Sequence, residues 1–65
     1  MKWFELAQKL SWSQGYLSKV FHGYARPSEA MAEKARPVTR KTVKWWDDAS
    51  QSEVQTLLNK LKKSS

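Results

Sequence analysis

The sequence has no cysteine, so neither a disulfide nor a thiolate metal site can staple its fold. That absence fits a reducing, cytoplasmic compartment. One histidine without cysteine leaves no ligand set for structural zinc, and no metal or other cofactor is expected. Long apolar runs are missing: nothing approaches the ~20 residues that a membrane span needs. The start, Met1-Lys2-Trp3-Phe4-Glu5, lacks the apolar run of a signal peptide. Alternating β-branched stretches are also absent, which removes the signal for strands. Glycine and proline occur twice each, where helices would break. Nor is there a pair of carboxylates at general acid–base spacing: Asp47 and Asp48 are neighbours and point different ways. A phosphate-cradling glycine loop is lacking too. The chain is therefore not expected to be an enzyme or to bind a small molecule.

What remains is short and basic. Sixty-five residues suffice for one domain, which buries only about 60% of the surface exposed by the unfolded chain. Twelve Lys and Arg against six Asp and Glu leave a net charge of +6. Excess positive charge draws the chain to polyanions, and both nucleic acid and an anionic membrane surface qualify.

Every periodic segment has helical spacing. Trp3, Leu6, Ala7 and Leu10 fall at i, i+3, i+4 and i+7 on one face. A second helix starts after the N-cap Ser13, with Trp12 and Leu17 at the spacing of a hydrophobic staple. Leu17, Val20 and Phe21 are its stripe, and Gly23 suits a left-handed cap. Ser28 caps a third helix over Ala30, Met31, Ala32 and Ala35, which Pro37 is expected to end. Thr39 is expected to cap a fourth segment, with Val38 and Val43 at staple spacing and Val43 and Trp46 facing inward. One helix cannot bury adjacent Trp45 and Trp46 on one face, so Trp45 is left as a partly exposed packing or dimer residue. Ser50-Gln51-Ser52-Glu53 has capping-box spacing and opens a fifth helix, striped by Val54, Leu57, Leu58 and Leu61. Lys60, Lys62 and Lys63 lie at its end, where the dipole favours cations, and Ser64-Ser65 is expected to fray. The fold expected is all-α: a compact bundle of four to five short helices forming one domain over 1–65.

The stretch from Glu5 to Gly23 is the informative one. Two short helices flank a three- or four-residue turn, and apolar residues at 6, 7, 10, 12, 17 and 20 are what two crossed helices need to pack. Small Ala7 permits a close crossing, which pushes the start of the second helix outward. With Tyr24-Ala25-Arg26-Pro27-Ser28 behind it, this run resembles the lambda-repressor and Cro-type helix-turn-helix proteins, and especially their short Cro-like and antitoxin-type variants. The resemblance covers about residues 3–46. It implies operator DNA binding, transcriptional control, nucleoid association and frequent homodimers on paired half-sites. By position it puts Gln14, Gly15, Tyr16, Ser18 and Lys19 on the DNA face of a recognition helix, as candidate base contacts. It puts Trp3, Arg26 and Ser28 at phosphate, and Lys2, Ser13, His22, Tyr24, Arg40, Lys41 and Lys44 complete the candidate phosphate contacts.

Three positions depart from the family pattern. Ser11 stands where glycine is usual, so its backbone is either αR-like or held at positive φ. Gly15 removes a side chain at a common base-contact position. The helix that usually precedes Trp3 is missing from this sequence, so its share of the core needs another cover. The segment 52–63 is the expected one, packed back on the 3–46 core or shared with a second copy.

Other readings stand beside these. Gln14 suits bidentate pairing with adenine, or is only a surface residue. Tyr16 is expected to be exposed, because 17, 20 and 21 already make the stripe. Lys19, Lys41 and Lys44 either solvate the surface or touch phosphate, and His22 either answers the helix dipole or touches phosphate. The expected activity is sequence-specific binding of double-stranded DNA by a small phage- or bacterial-type repressor. The alternative is a protein-interaction module, an antitoxin or adaptor that uses the leucine stripe of 54–61. A membrane-surface peptide fits the capped, multi-helix pattern poorly.

Overall fold

A computed structural model describes residues 1–63, so the fraying expected at Ser64 and Ser65 lies outside the described residues. The described chain is all-α, with five helices: α1 Trp3–Leu10, α2 Gln14–Phe21, α3 Glu29–Thr39, α4 Val43–Asp48 and α5 Gln51–Lys63. One core joins them, built of Leu6, Ala7 and Leu10 from α1, Leu17 and Val20 from α2, Ala32 and Ala35 from α3, Trp46 from α4, and Val54 and Leu58 from α5. Each fully buried leucine or valine contributes about 1.5–3 kcal/mol relative to exposure.

The turn between α1 and α2 has three residues. Ser11 takes the left-handed conformation, φ 60° and ψ 33°. The Ser11 N–H donates to Gln8 O at 3.1 Å and the Trp12 N–H to Ala7 O at 2.9 Å, the paired bonds of a Schellman motif. A serine accepts this conformation, which glycine adopts more cheaply, because the two bonds and burial of Trp12 hold it there. The Trp12 indole N–H then donates to Met31 O at 2.9 Å, tying the turn to α3. Ser13 Oγ accepts from the Tyr16 N–H at 3.1 Å and starts α2 as its N-cap.

Two expected boundaries are corrected. Pro37 does not end α3, which runs on to Thr39 with Arg40 in the left-handed conformation beyond it. Proline's fixed φ is helical, and its main loss is one N–H bond to a carbonyl four residues back. The Arg40 N–H still bonds Arg36 O at 2.7 Å, and buried Ala35 and Thr39 anchor the last turn. Thr39 is accordingly not the cap of α4. It is buried at the end of α3, its Oγ1 accepts from the Lys41 N–H at 3.2 Å, and the N-cap of α4 is Thr42. Val38 and Val43 therefore form no staple across that cap, although Val43 is half-buried and Trp46 fully buried.

The capping box at α5 forms in both directions. The Glu53 N–H donates to Ser50 Oγ and the Ser50 N–H to Glu53 Oε1, each at 3.2 Å. The helix packs on α1 and α2 through Val54 and Leu58, supplying the expected cover within the chain.

Candidate nucleic-acid interface

The outer side of α2 is what the packing leaves free. Leu17 and Val20 point into the core and Phe21 is half-buried, so Gln14, Gly15, Ser18 and Lys19 remain exposed along the opposite arc. A Cβ built on Gly15 would meet nothing within 4 Å, so no intramolecular contact requires glycine there. From residue 6 to residue 28 the chain carries no Asp or Glu, while Lys9, Lys19 and Arg26 are cationic.

Tyr16, expected to be exposed, is a correction. It is half-buried, with its ring 5.3 Å from that of Trp12 in an edge-on contact, and its hydroxyl donates to Arg26 O at 3.4 Å. The inward arc of α2 is wider than its aliphatic stripe because Trp12, four residues earlier, offers a ring to pack on. The side chain is thus committed to the loop after α2.

Arg26 is likewise turned toward the fold. Its Nη1 donates to Trp46 O and, at 3.1 Å, to Ala49 O, closing the carbonyl end of α4. Only its other guanidinium N–H groups are left for a phosphate. Ser28 Oγ accepts from the Met31 N–H at 3.3 Å as the cap of α3, and the hydroxyls of both capping serines, Ser13 and Ser28, keep a proton to donate. Tyr24 is 84% exposed on the loop between α2 and α3.

Trp3, Gln14, Ser18 and His22 come together around one groove of about 320 Å³ beside α2, floored by Leu17 and Phe21. Trp3 meets the Phe21 ring edge-on at 4.9 Å, and the His22 ring is 5.3 Å from that of Phe21. Arg40, Lys41 and Lys44 are not gathered there. They belong to the end of α3 and to α4, which rests on α3, whereas α2 packs on α1 and α5. Lys41 lies over the half-buried Trp45 ring at 5.2 Å. Lys2 precedes α1 and is exposed, its backbone N–H donating to Glu5 Oε1 at 3.1 Å.

Two glutamines have a role that their residue type did not reveal. Gln51 Nε2 donates to Val20 O at 3.2 Å and to Phe21 O, and Gln55 Nε2 donates to Phe21 O at 3.0 Å. These amides satisfy the carbonyl end of α2 and fix α5 to it. The one available signal was their i, i+4 spacing on a helix face. Gly23 sits at φ 84°, and a Cβ there would come within 2.9 Å of Gln51 Oε1, so both conformation and space call for glycine.

Among the described residues no helix is long and apolar enough to cross a membrane, and no three His, Cys, Asp or Glu side chains are grouped to hold a metal ion. No family model, curated protein or solved structure matches the chain.

Proposed function

We propose that this chain binds double-stranded DNA in a sequence-specific manner, with α2 in the major groove, and acts as a small transcriptional regulator rather than an enzyme. The observation that carries this is the outer face of α2. It offers Gln14, Ser18 and Lys19 in one exposed row on a helix whose other side is locked to α1 and α5. An α-helix fits a groove about 12 Å wide, and glutamine can pair bidentately with adenine there. The acid-free stretch from residue 6 to residue 28 and the net charge of +6 favour a polyanion. Gly15 adds to this: glycine inside a helix costs about 0.5–1 kcal/mol relative to alanine, and a ligand approaching the backbone closely is a reason to keep it. The resemblance to lambda-repressor and Cro-type proteins points the same way. Such a regulator works on the nucleoid in the cytoplasm, and a homodimer would match half-sites about one helical turn apart. The competing reading as a protein-interaction module loses ground, because Val54 and Leu58 of its leucine stripe are spent inside the chain.

Selecting bound sequences from a random duplex library tests the proposal directly. On the selected site, Gln14→Ala should weaken binding by about 1–3 kcal/mol while leaving random DNA nearly unaffected. An unchanged ratio of specific to random binding would remove α2 as the reading element. Gly15→Ala should separate stability from binding. The melting temperature should rise, by up to about 0.5–1 kcal/mol in stability, since the new methyl group meets open space. Affinity for the selected duplex should fall several-fold; affinity that held or rose would show that no ligand approaches there.

A further inference from the structure

The end of α5 meets the start of α1 at Trp3, on the rim of the groove beside α2. Trp3, the first residue of α1, lines that groove with Gln14 and Ser18. Lys62, in the last turn of α5, holds its ammonium 5.0 Å from the centroid of the Trp3 ring. A cation over an indole face at a wet site gains about 0.5–1 kcal/mol, which offsets part of the entropy of ordering a lysine chain. Lys62 is therefore partly placed before any ligand arrives. Lys2 adds a second cation beside Trp3 in sequence, and the carboxylate nearest it in sequence, Glu5, already accepts the Lys2 backbone N–H. The first turn of α1 leaves N–H groups without intrahelical acceptors at the same corner. Beside Trp3, on the rim of this apolar-floored groove, stand one cation from α5, Lys62, and one from the residue before α1, Lys2, against the single carboxylate of Glu5.

We propose that Lys62 is a DNA-backbone contact: held over the Trp3 ring, its ammonium faces the phosphate that the resemblance puts at Trp3, so that α5 adds a cation to the strand flanking the bases that meet α2. This rests on the DNA-binding proposal above and extends it: α5 both covers the core and takes part in the interface. Lys62 supplies counter-charge for a phosphate beside Trp3.

The test uses the full chain and a random-sequence duplex of about 20 base pairs, with affinity measured by fluorescence anisotropy across a salt series. Each phosphate neutralised contributes about 0.9 to the slope of log affinity against log salt. Lys62→Gln should reduce the slope by about one and weaken binding roughly tenfold near 0.1 M salt. Lys62→Arg should keep the wild-type slope. Lys60→Gln removes the same charge two residues away, where side chains do not share a face, and should change the slope by less than half as much. Melting temperatures of Lys62→Arg and Lys60→Gln should match the parent, and that of Lys62→Gln should fall by only a few degrees, the loss of its contact with the Trp3 ring. Equal slopes for Lys62→Gln and Lys60→Gln would overturn the assignment while leaving DNA binding intact. A parent protein that binds no duplex at any salt would overturn both. Loss of binding to anionic phosphatidylglycerol vesicles, with duplex binding unchanged, would give the corner to lipid and overturn it as well.

Discussion

Deleting residues 52–65 should leave a chain that does not hold its native fold at 25 °C. Leu58 is 0% exposed and Val54 3%, and burial of the two contributes about 3–6 kcal/mol together. Half-buried Leu57 and Leu61 add to this, and Gln55 takes with it a bond to Phe21 O worth about 1 kcal/mol. Against this stands the whole stability of a 65-residue domain, about 3–10 kcal/mol at 0.05–0.15 kcal/mol per residue. The loss is comparable to the total. Circular dichroism of the truncated chain should show little helix and no cooperative melt. The milder variant Leu58→Ala should cost about 2–5 kcal/mol and lower the melting temperature by well over ten degrees. A truncated protein with unchanged helicity and melting temperature would show that α1 to α4 close their core without α5.

Binding to any duplex should collapse as salt rises. Displaced counterions set the dependence, so the number of phosphates touched fixes the slope. Lys2, Lys19, the free N–H groups of Arg26 and the proposed contact Lys62 are the nearest cations. Arg40, Lys41 and Lys44 count only if DNA also reaches the α3–α4 side. About four such contacts give a slope near −3.6 and a fall of roughly 150-fold in affinity between 50 and 200 mM salt. Random and selected duplexes should show similar slopes, because phosphates position a protein and bases specify the site. A flat titration would exclude DNA as the ligand. A slope near −6 would place the α3–α4 cations in the interface.

The number and type of helices follow from local features that a sequence exposes. Caps at Ser13, Ser28 and Ser50 each form the bonds their spacing predicts. The apolar spacing of α1, α2 and α5 put the right side chains inward, since a helix with a period of 3.6 residues has one face to bury. Gly23 at positive φ was legible for the same reason: its stereochemistry is local. Ser11 was left open between two conformations, because only the bonds across the turn choose between them.

Tertiary structure decided whatever depends on a distant partner. Pro37 reads as a helix end, yet α3 runs through it because its last turn is anchored in the core. Tyr16 reads as a surface residue, yet the Trp12 ring and a carbonyl of the next loop draw it in. Arg26 reads as a free cation, yet it closes α4 from twenty residues away. Gln51 and Gln55 carry nothing that names α2 as their acceptor thirty residues earlier. Polar side chains have several partners of similar strength, and which one they meet is set by the packing of whole helices. The sequence alone therefore determined an all-α chain of four to five short helices, three of them opened by serine caps, and an excess of positive charge. Their assembly determined which polar groups close the fold and which, along the outer face of α2, stay exposed, because that depends on how whole helices pack.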